Sequence, residues 1–114
     1  MDMMPRVRLH GAARQVVSDL MFARMKAIRE QNPHRIVFQS AESYQVLSDR
    51  EDGSRVTVLM RDLSVDYRGV QLVANNNPVF NAGGTASVLA TIQVRNEAGE
   101  HRLSVNITGR VKMQ

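Results

Sequence analysis

Apolar residues at Leu9, Ala13, Val16, Leu20, Ala23 and Ala27 recur in alternating steps of four and three, and Val17 and Ile28 widen the stripe. That period predicts an amphipathic helix over about residues 9–31, roughly 33 Å long at 1.5 Å per residue. Asn32-Pro33 ends it, because proline disfavours helical backbone at the residue before it and has no N–H for a further turn. The start is less defined. Gly11 weakens that end by about 1 kcal/mol relative to alanine. The cap on offer is Asp2, with Pro5 suited to a first turn.

Beyond Pro33 the period drops towards two. Arg35–Gln39 and Tyr44–Leu47 predict strands, and the polar cluster Ser48–Ser54 with Asp52-Gly53 predicts a turn before a third strand, Arg55–Leu59. From Met60 to Val73 short apolar pieces broken by Asp62, Asp66 and Gly69 predict short or bent strands. Asn75–Pro78 is a loop by composition, and Phe80–Thr85, with two adjacent glycines, is a bend. The clearest alternation comes last. Ile92 and Val94, then Leu103, Val105 and Ile107, alternate with polar neighbours across the turn Asn96–Glu100, which predicts an antiparallel hairpin with one wet face. One helix followed only by strands, about residues 35–112, argues an α+β fold with antiparallel sheet on the helix's apolar stripe, in a single domain spanning 1–114.

Two features of the helix do not follow the stripe. Arg24 lies among the positions Ala13, Val16, Val17, Leu20, Ala27 and Ile28 that should pack on the sheet. Either its stem packs while its head snorkels to the edge, or its guanidinium is partly buried on a carboxylate or carbonyl that fixes how the sheet sits. Phe22 and Met25 are the converse, apolar residues on the polar face, for a loop to cover or an assembly contact to use.

Charge sharpens the picture slightly. The net +4 sits on the helix: residues 1–35 hold seven Lys/Arg against three acids, and residues 36–114 hold eight against eight. A second, small basic patch lies in residues 95–112, which carry Arg95, Arg102, Arg110 and Lys112 against Glu97 and Glu100. With no cysteine, disulfides and thiolate metal sites are excluded. No apolar run is long enough to span a bilayer. His10, His34 and His101 lack metal-pair spacing and suit surface or loop positions, and Asp49, Glu51 and Asp52 crowd one solvated turn. No nucleophile elbow, dinucleotide fingerprint or Walker lysine is present, so no cofactor is expected and no catalytic or metal site is assigned.

The helix Ala12–Arg29, with its Ala23–Ile28 run Ala-Arg-x-x-Ala-Ile, the strand after Pro33, the Phe80–Thr85 turn and the closing hairpin ending in Gly109-Arg110-Val111 together resemble a known family. It comprises the H-type minor pseudopilins of type II secretion and the FimT-like minor pilins of type IV pili. The resemblance covers nearly the whole chain. It implies a pilin-like fold and a non-enzymatic subunit that assembles with other pilin or pseudopilin subunits. It also implies an apolar membrane-spanning helix upstream, with a processed and methylated first residue, that anchors the protein in the bacterial inner membrane. The globular part would then face the periplasm or lie in a pilus or pseudopilus. A second role follows from FimT-like proteins, whose carboxyl-terminal Gly-Arg-x-Arg pattern is associated with DNA capture in natural transformation. Here the pattern is Gly109-Arg110-Val111-Lys112, which implies at most weak, sequence-independent DNA binding through Arg102, Arg110 and Lys112.

Overall fold

The computed structural model describes residues 4–114. Helix α1 covers Pro5–Glu30, 26 residues, so it begins a full turn before the stripe's first apolar residue. Pro5 explains the early start: its fixed φ suits the first helical position, where its missing N–H costs nothing. Met4 holds extended backbone before it and contributes no side-chain cap, while Asp2 lies outside the described residues. At the other end Gln31 is not helical but turns left-handed (φ 57°) and donates from Nε2 to the Ile28 carbonyl at 2.6 Å.

Nine strands follow: β1 (His34–Phe38), β2 (Ser43–Asp49), β3 (Arg55–Asp62), β4 (Gln71–Ala74), β5 (Val79–Phe80), β6 (Ala86–Val88), β7 (Ala90–Asn96), β8 (Gly99–Val105) and β9 (Val111–Met113). They pair antiparallel in two sheets, one ordered β3-β2-β1-β5-β6 and the other β4-β7-β8-β9. Asn96 pairs with Gly99, so the closing hairpin turns on Glu97-Ala98 alone, a tighter loop than the sequence suggests. The stretch 63–69 is a turn and not a strand. Leu63 is buried beneath it and the Tyr67 ring rests on Gly11, where a Cβ would come 2.7 Å from a ring carbon. Gly11 weakens the helix but makes room for that ring.

Helix α1 packs on both sheets, touching β1, β2 and β5 of the first and β7, β8 and β9 of the second. Its buried line runs Leu9, Ala12, Ala13, Val16, Asp19, Leu20, Ala23, Ala27. Four of these are alanines with no exposed surface, which lets strands approach the helix axis closely. Ile36, Tyr44, Val46 and Phe80 meet the line from one sheet, and Ile92, Val94, Leu103 and Val105 from the other. The line is rotated towards Ala12 and Asp19, and two expected packing residues are displaced accordingly. Val17 is half-buried at the edge, and Ile28 is 41% exposed.

Two polar expectations are also corrected. His34 is fully buried, its Nδ1 paired at 2.9 Å with the Asn32 carbonyl, because its strand position faces inward beside Ser48. Asp49 belongs to β2 and not to the turn, and it accepts from Arg35 Nε at 3.0 Å, which holds its carboxyl below the usual range.

Candidate functional site

The outer face of α1 and the loop between β8 and β9 enclose a groove. One wall is helical: Ser18, Met21, Phe22, Met25 and Arg29 fall at spacings of three and four and so share one face. The other wall is Thr108–Val111. That loop owes its shape to Asn106, whose Oδ1 accepts from Thr108 N at 3.1 Å, Thr108 Oγ1 at 2.6 Å and Arg110 N at 3.1 Å. Gly109 follows with φ 83°. A Cβ there would lie 1.9 Å from the Gly84 carbonyl oxygen, so only glycine lets the 106–109 and 81–85 turns stack.

Arg24 joins those turns to the helix. Its Nε donates to the Gly84 carbonyl at 2.8 Å, and Ala86 N donates to the Ile107 carbonyl at 3.1 Å across the same junction. Of the two readings open to Arg24, the structure shows the half-buried guanidinium on a carbonyl. Ile28, off the core stripe, packs over Gly84 and lines the groove beside Arg24.

Met21 is 58% exposed and Met25 43%, whereas Phe22 is half-buried with the Lys26 ammonium 5.9 Å from its ring centroid. Arg24, Arg29 and Arg110 are the charged residues of the lining, and no carboxylate is among the described residues that form it. The groove is therefore apolar inside and cationic at its margin. It brings together Phe22, Met25 and Arg110, which sequence places in separate candidate sites. Arg102 and Lys112 lie elsewhere, exposed on adjacent strands where Ser104 opposes Lys112. With Arg102 opposite Gln114 and Asn106 opposite Arg110 in the same register, Arg102, Arg110 and Lys112 all lie on the exposed face of that strand pair while Val111 packs inward, as the expected comb requires.

A second polar site, not anticipated from sequence, lies on the opposite side of the helix. Asp19 is buried and accepts from Arg61 through Nε at 2.9 Å and an Nη at 3.1 Å, from Tyr44 Oη at 2.5 Å and from Gln15 at 3.2 Å. Burial first, and the Asp19 carboxylate second, push the Tyr44 hydroxyl far above its ordinary pKa, and the hydrogen bond to Asp19 raises that of Arg61. This network binds β2 and β3 to α1. The available signal was Asp19 in step with Ala12, Val16 and Ala23 at spacings of four, three and four.

Among the described residues no three His, Cys, Asp or Glu side chains converge as metal ligands, and no helix is long and apolar enough to cross a membrane. His10 and His101 do meet, edge to face with centroids 5.7 Å apart.

The family model described as type II transport protein GspH matches residues 12–109, from the first buried alanines of α1 to the glycine of the groove wall. The chain belongs to the GspH family. Solved structures agree on the fold. The GspH-family chain superposes on the type IV minor pilin FimU of Pseudomonas aeruginosa (strain PAO1) with a TM-score of 0.78 at 18% identity, covering 96% of this chain and 90% of that one. It superposes equally on the minor pseudopilin EpsH from the type 2 secretion system of Vibrio cholerae, TM-score 0.78 at 11% identity, covering 94% and 96%. A comparison with curated protein sequences finds no match. This GspH-family chain thus shares the fold of that minor pilin and that minor pseudopilin, one amino-terminal helix packed on antiparallel sheets.

Proposed function

We propose that the chain is a non-enzymatic subunit that contributes to assembly or to the tip of a type II secretion pseudopilus or a type IV pilus, and that the groove is its docking surface. The observation carrying this is the placement of Met21, Phe22, Met25 and Ile28 outside a core that is already closed, beside arginines with no carboxylate in the lining. An apolar, cation-margined groove of this kind suits a protein partner. The family adds a membrane anchor ahead of α1, with the domain on the periplasmic side of the inner membrane. The test is complementation of a strain lacking the gene, reading secretion or piliation. Rescue by the wild type and failure of Met25→Glu at equal protein level support the reading. Full rescue by Met25→Glu overturns it.

A second reading, DNA uptake, is favoured by the exposure of Arg102, Arg110 and Lys112. Three phosphate contacts give an expected salt slope near about −2.7. Titration of duplex DNA at two salt concentrations with Arg110→Ala/Lys112→Ala decides it: equal binding by wild type and variant, or none at low salt, removes this reading.

A further inference from the structure

The molecule carries a projection whose chemistry is the complement of its groove. At the end of β3, Met60 is 70% exposed and Val65 79% exposed, with exposed Asp62 and Asp66 beside them. The projection is built and not loose. Leu63 is buried at its base and donates from its backbone N to the Glu42 carbonyl at 2.8 Å. Asp62 Oδ1 accepts from Ser64 N at 2.9 Å and from Ser64 Oγ at 2.6 Å, bonds that keep its carboxyl ionised to lower pH than usual. Tyr67 N bonds the Leu63 carbonyl at 2.8 Å, and the Tyr67 ring seats the turn on Gly11.

The groove offers the reverse: apolar Met21, Phe22 and Met25, with Arg24, Arg29 and Arg110 alongside. No residue of the projection lines the groove, so the two surfaces do not meet within one molecule.

We infer that the acid-flanked projection Met60–Asp66 of one copy docks in the arginine-flanked groove of a second copy of this chain. Val65 and Met60 meet the methionines and Phe22, while Asp62 and Asp66 face Arg29 and Arg110. Because the two surfaces differ, the contact is heterologous, and each copy keeps one free projection and one free groove for the next. A single turn in a groove covers less than the 1,200 Å² or so of a stable interface. The contact is weak alone and gains strength where copies are also held together by other means. It rests on the assembly-subunit reading and names the partner of that groove.

Sedimentation equilibrium of the chain at low and high salt tests it. Wild type should associate with rising concentration at low salt and less at high salt, since the facing charges are near solvent. Arg110→Glu and Asp66→Lys should each weaken association about tenfold or more through like-charge contact. A mixture of the two should regain association, because an intact projection and an intact groove remain between them. The chain has no cysteine, so a Val65→Cys variant mixed with a Met25→Cys variant should form a disulfide dimer. Monomeric wild type up to about millimolar concentration, or association by either charge variant alone at wild-type strength, overturns the proposal, as does a mixture that stays monomeric. The complementation assay keeps the two readings apart. If Met25→Glu fails to rescue while the wild type stays monomeric, the groove takes a different subunit and the assembly role stands.

Discussion

The two sides of α1 handle polar and apolar groups in opposite ways. On the sheet side a carboxylate, Asp19, is buried, and it is held by Arg61, Tyr44 and Gln15 from two strands and its own helix. On the groove side Met21 and Met25 stand in solvent and Arg110 is exposed. Burying a charge is costly unless it is paired, and exposing apolar surface forgoes hydrophobic stabilisation. The first side closes the fold with its polar group satisfied, whereas the second leaves apolar surface uncovered.

Substitutions should break this contrast in a graded way. Asp19→Ala leaves Tyr44 and Arg61 without their shared partner and should destabilise by about 3–5 kcal/mol in urea unfolding. Leu20→Ala, a cavity under both sheets, should cost about 2–5 kcal/mol. Gly109→Ala pushes a methyl against the Gly84 carbonyl at left-handed φ and should cost at least about 2 kcal/mol, deforming the groove wall and Arg24's hold on it. Acid should act more mildly. Asp49, held down by Arg35, and Asp62, held down by Ser64, have lowered pKa values. Their stabilisation is complete above the unfolded carboxylate value of about 3.9 and is lost as pH falls through the lower folded values. Unfolding midpoints should be flat from neutral pH to about 5 and drop below about 4. Arg35→Gln should reduce that drop.

Much of the fold was legible because period survives local noise. The alternation around Ile92–Val94 and Leu103–Val105 fixed the hairpin and its inward face. The helix stripe gave the right face with a small error in rotation, and that error moved Ile28 out and hid Asp19. Its cause is physical. A carboxylate in an apolar stripe is unfavourable until Arg61 and Tyr44 arrive from strands 42 and 25 residues away, and no local pattern announces them. The stretch 63–69 failed for a similar reason, since its order comes from Leu63 and from Tyr67 resting on Gly11. The site was half legible. Phe22 and Met25 stood out as apolar residues on a polar face, and Arg110 as part of a basic end. That they share one groove depends on the stacking of two glycine turns, which sequence alone does not show.

The central claim is that the groove face serves assembly and not stability, and Met25→Glu tests it most directly when melting temperature and rescue of the gene-deletion strain are measured on the same variant. The account predicts a melting temperature within about 3 °C of wild type, as for an exposed helical position, together with lost secretion or piliation. Full rescue, or loss of rescue explained by a melting temperature far below wild type, would contradict it.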